Sequence, residues 1–178
     1  SSYSNASDNY ITINDGTVGA IEGGHVGSGS TINANNNHVT INGGTITGNN
    51  GGSVSGSYAS YGNEANSNEV NITGGTINCD ISGGYGRNDA SNNKINISGG
   101  IVNKSTDADG EEGIYGGNSR SSANNNEISI SGGTINVEVY GGYLRSSGTT
   151  NNNKINISGN AKLDNAKLFG SNKTNSTG

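Results

Sequence analysis

The sequence contains no proline, methionine or tryptophan, one cysteine and one phenylalanine. A lone thiol, Cys79, excludes an internal disulfide framework and any cysteine-built metal cluster. Charged residues make up 13% of the chain, with nine Lys and Arg against fourteen Asp and Glu, a net charge of −5. No basic field is available to neutralise phosphates, so no nucleic-acid partner is expected. No apolar run approaches the length needed to span a bilayer, so direct membrane insertion of this segment is not expected either. Apolar residues reach only 28%, a scarcity usual in disordered chains. Two features oppose disorder here: the net charge is small, and the large apolar residues return on a schedule.

That schedule is set by one phrase, repeated six times: DNYITINDG at 8–16, NNHVTINGG at 36–44, SNEVNITGG at 67–75, NNKINISGG at 92–100, NNEISISGG at 125–133 and NNKINISGN at 152–160. Between the second apolar residues (Ile13, Ile41, Ile72, Ile97, Ile130 and Ile157) the steps are 28, 31, 25, 33 and 27 residues. Each phrase alternates apolar with polar, as in Ile11-Thr12-Ile13, which predicts a strand with one buried face. A second apolar anchor follows five residues later at Val18, Ile46, Ile77, Val102 and Ile135, with Lys162 and then Leu163 in the last copy. A Gly-Gly or Asp-Gly pair separates the two anchors in five copies, and glycine accepts the positive φ of a tight bend. A third anchor comes at Ile21, Val54, Ile81, Ile114, Val139 and Leu168, mostly before another glycine pair.

Three short strands of this kind cannot cover their own apolar faces. If each repeat makes one turn, the anchors stack on their counterparts and form one continuous core. The predicted fold is therefore all-β: a single-chain parallel β-helix of about six coils with three short strands per coil, spanning 1–178. A two-sheet sandwich and a trimeric β-roll are the competing architectures. The first-to-second anchor spacing is fixed, whereas the second-to-third gap runs from three to twelve residues. Variable lengths of this kind place loops at one corner. The longest loop is expected at 104–113, and a frayed end at 171–178. Asparagines ahead of each phrase are expected to form side-chain ladders at a corner.

The recurring NNxIxISGGTI…VYGGY…SS pattern resembles the passenger regions of bacterial autotransporters and other large Gly/Asn-rich surface adhesins. The resemblance runs over roughly Asn5 to Asn172. It implies export to the bacterial cell surface or beyond, a β-helical stalk, and adhesion to a host receptor, a glycan or the same protein on a neighbouring cell. No enzymatic activity is expected.

Ligand-binding candidates lie after the third anchor. GGYGR, GGNSR and GGYLR place Arg87, Arg120 and Arg145 at one phase of consecutive coils, and Tyr85 and Tyr143 at another. Tyr115, Tyr140 and Phe169 directly follow the third anchor and should point away from the interior. Aromatic side chains with guanidinium forks suit sugars, carboxylates or a protein partner; equally, such columns stack on themselves and shield a thin solenoid. Asp107, Asp109 and Glu112 in DADGEE carry the oxygen ligands that a calcium site needs, against the reading of a solvated acidic loop. No other cofactor is expected. Polysaccharide-processing enzymes also use β-helices, but they need convergent carboxylates, and Asp15, Asp80, Asp89 and Asp164 fall at different coil phases. Self-association through lateral faces is the other non-catalytic alternative.

Overall fold

The computed structural model describes residues 5–27, 32–61, 63–105 and 112–173. The chain forms a parallel β-solenoid of about five turns, with four parallel sheets running along its axis. The three expected strands recur, and a fourth strand of two residues completes each turn.

Sheet one stacks the phrase strands Tyr10–Ile13, His38–Ile41, Glu69–Ile72, Lys94–Ile97, Glu127–Ile130 and Lys154–Ile157. They pair in register, so Ile11 lies on Val39 and Ile13 on Ile41, and so on down the stack. Sheet two contains Thr17–Val18, Thr45–Ile46, Thr76–Ile77, Ile101–Val102 and Thr134–Ile135. In the last turn Lys162 makes only an isolated bridge to Thr134. Sheet three stacks Ile21–Glu22, Val54–Ser55, Ile81–Ser82, Gly113–Tyr115, Glu138–Tyr140 and Leu168–Phe169. Sheet four stacks His25–Val26, Tyr58–Ala59, Tyr85–Gly86, Asn118–Ser119, Tyr143–Leu144 and Asn172–Lys173. Asn172–Lys173 thus extends ordered pairing into the expected frayed end.

The predicted anchors form one core. Val39, Ile41, Ile46, Val54, Val70, Ile72, Ile77 and Ile81 are completely buried, as are Ile95, Val102, Ile114, Ile128, Ile130, Ile135 and Val139, while Ile157 and Leu168 in the last turn are exposed. Each fully buried Ile or Val contributes about 1.5–3 kcal/mol, and stacking lets every turn reuse its neighbour's cover. A second, smaller cluster of Val26, Ile32, Ala34, Ala59 and Ala65 sits behind sheet four in the first turns.

Two backbone features fix the corners. The first residue of each phrase is left-handed: Asp8, Asn36, Ser67, Asn92, Asn125 and Asn152 have φ between 56° and 61°. Asn, Asp and Ser side chains tolerate or locally stabilise this conformation. The following residue is asparagine in all six copies and builds a ladder. Asn37 Oδ1 accepts from Asn9 N–H at 3.1 Å and Asn9 Nδ2 at 2.8 Å. Asn68 Oδ1 receives the same pair from Asn37, Asn93 from Asn68, Asn126 from Asn93 and Asn153 from Asn126. At the turn after sheet three, the glycine column Gly23, Gly56, Gly83, Gly116 and Gly141 allows a close approach. A Cβ there would lie 2.1–2.4 Å from the carbonyl oxygen of the next turn.

Candidate functional site: the ladder of sheet four

Sheet four lies exactly four residues beyond each third anchor, at positions 25, 58, 85, 118, 143 and 172. Its second residue packs inward: Val26, Ala59, Gly86, Ser119 and Leu144 are buried. Its first residue therefore builds an outward column. His25 stacks on Tyr58 with ring centroids 5.3 Å apart, and Tyr58 on Tyr85 at 4.7 Å. Asn118 interrupts the column. Arg145 fills that level from the turn beyond, its guanidinium 4.0 Å from the Tyr85 ring centroid and its Nη1 donating to the Tyr85 hydroxyl. A guanidinium over an aromatic face is attracted by the ring quadrupole, so Arg145 acts as the next rung. Among the described residues its Nε and the Asn118 Oδ1 are buried without hydrogen-bond partners.

The seven candidates thus divide. Tyr85 and Arg145 form a half-exposed stack with Tyr58 and His25. Arg87 is exposed and approaches the Tyr61 ring at 5.9 Å, and Arg120 is exposed. Tyr115, Tyr140 and Tyr143 instead form a buried aromatic cluster with Phe169 packed against it. Tyr115 and Tyr140 do lie outside the Ile/Val core, as their phase required, but they cover one another rather than face solvent. Tyr115 stacks on Tyr140 at 5.3 Å, Tyr140 stacks on Phe169 at 4.9 Å, and Tyr143 meets both tyrosines edge-on. The Tyr140 hydroxyl donates to Glu138 and holds its carboxyl below the usual range, with Lys167 3.4 Å away on the same carboxylate.

His25 and Tyr58 were absent from the sequence-based set although the same four-residue offset from Ile21 and Val54 marks them. The geometry also narrows the chemistry. Rings stacked face to face along the axis offer edges and hydroxyls outward, whereas sugar stacking needs a free face. The column therefore suits hydrogen-bonding and anionic groups read by hydroxyls, Arg87 and Arg120. One exposed ring, Tyr10, lies on sheet one and stacks on His38 at 4.7 Å.

The carboxylates are scattered along the rod. Glu64 and Asp89 are bridge partners on adjacent turns, and Asn66 Nδ2 and Ser91 Oγ donate to Asp89. Asp80 accepts the Gly113 N–H at 3.0 Å, and burial pushes its carboxyl up to about 6, with Glu112 adding to the rise. Cys79 is buried beside it and its thiol is pushed up to about 12 by burial. Among the described residues no three His, Cys, Asp or Glu side chains group to hold a metal ion. Of the calcium candidates, Asp107 and Asp109 lie outside the described residues. Among the described residues, no helix is long and apolar enough to cross a membrane. In comparisons with known proteins the chain matches no family, no curated protein and no solved structure.

Proposed function

We propose that this solenoid is a structural and adhesive segment of a bacterial cell-surface or secreted adhesin, non-catalytic, with the sheet-four side as its contact face. The observation that carries this reading is the division of labour around each turn. Sheets one to three hold an uninterrupted Ile/Val core, while sheet four aligns His25, Tyr58, Tyr85 and Arg145, with exposed Arg87 and Arg120 beside them. A rod supplies reach, and repeated side chains at fixed spacing supply several weak contacts at once. The partner is a host receptor, a glycan or the same protein on a neighbouring cell, recognised through acidic or hydroxyl-rich groups.

The test is an array of glycans and receptor ectodomains probed with the native chain and with Arg87→Ala/Arg120→Ala/Arg145→Ala. Binding lost by the variant, with an unchanged far-UV spectrum, supports the assignment. Equal binding by both proteins discards the arginine face.

A further inference from the structure

Several cations on the rod share a column with carboxylates. His38 meets Glu69 at 3.3 Å, Lys154 meets Glu127 at 3.5 Å and Lys167 meets Glu138 at 3.4 Å, each pair on adjacent turns. The column just after sheet four departs from this arrangement. Arg87, Arg120 and Arg145 occupy it on three consecutive turns. The Arg120 N–H donates to the Arg87 carbonyl at 3.2 Å, and the Arg145 N–H to the Ser119 carbonyl at 2.8 Å. Among the described residues none of the three is paired with a carboxylate. Acids are not scarce, since the chain holds fourteen. Asp89, two residues beyond Arg87, is engaged by Asn66 and Ser91 instead. Like charges one strand step apart, about 4.8 Å, repel each other, and an anion from outside would offset that repulsion.

The three arginines are not equivalent. Arg145 turns back into the ring column, its guanidinium over Tyr85 and its Nη1 donating to the Tyr85 hydroxyl. Arg87 and Arg120 stay exposed on adjacent turns, two guanidinium forks at neighbouring rungs. A planar carboxylate fills one fork with its two oxygens. A sulfate or phosphate ester carries three terminal acceptor oxygens in a pyramid, enough to engage both forks at once.

We infer that Arg87 and Arg120 together form a site for such a tetrahedral oxyanion, a sulfate or phosphate ester carried on a polysaccharide. The inference rests on the adhesive reading of the sheet-four face and names the group which that face takes. Tyr61 points to a sugar as the carrier. It is 55% exposed and lies beside Arg87, its ring centroid 5.9 Å from the guanidinium, so it offers aromatic surface to the apolar side of a sugar next to the charged group. A nucleic acid, with a phosphate on every residue, would meet the rest of a chain whose net charge is −5 and be repelled. A glycan with isolated ester groups meets only the arginine pair.

Titration calorimetry of the native chain against a panel of oligosaccharides, each in neutral, carboxylated, sulfated and phosphorylated form, tests the inference. An ester form should bind, weaken as salt rises, and exceed its carboxylated counterpart about tenfold or more. Arg87→Ala or Arg120→Ala alone should weaken ester binding about tenfold or more. Arg87→Lys/Arg120→Lys keeps the charge, loses the forks and should weaken it as well. Tyr61→Ala should weaken the oligosaccharide ester and leave inorganic sulfate or phosphate unaffected. These side chains are exposed, and far-UV circular dichroism checks folding. Full binding by the double lysine variant overturns the inference, and so does equal binding of carboxylated and ester forms or binding of the inorganic ions alone. If no oligosaccharide binds while a receptor ectodomain still does through the arginine face, the inference falls and the adhesive reading stands. Failure of every glycan and every receptor removes both.

Discussion

Replacing Asn93 with alanine should cost about 4 kcal/mol, whereas the same change at Asn9 should cost less than about 1 kcal/mol. Asn93 is fully buried in the middle of the ladder. Its Oδ1 accepts the Asn68 backbone N–H at 2.9 Å and the Asn68 Nδ2 at 3.0 Å, while its own N–H and Nδ2 donate to Asn126 Oδ1 at 2.9 and 3.2 Å. Alanine therefore strands two buried donors of Asn68, each costing about 1–3 kcal/mol, whereas Asn126 Oδ1 keeps one donor. Asn9 begins the ladder, and its side chain only donates. Its removal leaves Asn37 Oδ1 with the residue-9 N–H, at a solvent-exposed position. Chemical denaturation of the two variants, with hydrogen exchange at the Asn68 amide, measures the difference. Total stability of about 5–15 kcal/mol makes a gap of about 3 kcal/mol conspicuous. Equal destabilisation of the two variants, within about 0.5 kcal/mol, would refute a directional ladder.

Two further outcomes follow from the same geometry. Gly83→Ala should lose about 2 kcal/mol or more, because its Cβ would meet the Gly116 carbonyl oxygen at 2.3 Å, while Gly19→Ala meets nothing within 4 Å and should be neutral or slightly stabilising in a melting experiment. Asp80, raised from 3.8 to about 6 on folding, binds its proton more tightly in the folded state. Its contribution is fully present below pH 3.8 and is lost as pH rises through about 6. Asp80→Asn should flatten the stability–pH curve across that window, and an unaltered curve would exclude Asp80 as its source.

Most of the architecture could be read from the repeat. Ile and Val at two-residue spacing, five-residue steps across a glycine pair, and gaps that vary at one corner place sheets one to three on the chain. The paired asparagines announce a ladder, although only the backbone separates their roles: the first residue turns left-handed, where Asp8 and Ser67 also serve, and the second bonds along the stack. Sheet four was harder to see. Its two-residue strands are too short to show alternation, and its outward position holds His, Tyr or Asn. The side-chain directions lie further still from sequence. Tyr85 and Tyr143 share a phase, yet Tyr143 turns into the buried cluster with Tyr115 and Tyr140, because Asn118 leaves no ring to stack on. Arg145 reaches a tyrosine sixty residues earlier in the chain, a contact set by packing across two turns and by no local pattern.

The closed hydrogen bonding between successive turns also sets how the rod would respond to tension. Each inner turn is held by neighbours on both sides, so a pull on the termini puts the same tension across every turn and peels an outermost turn, held on one side only, first. The shortest step between ladder rungs is 25 residues. Peeled from the end, such a turn extends to about 85 Å, where it had occupied about 4.8 Å of the axis. A rod of this kind yields one turn at a time under force, lengthening at each step while the remaining turns keep their shape, and a released turn finds its neighbour's edge intact as the template on which to rewind.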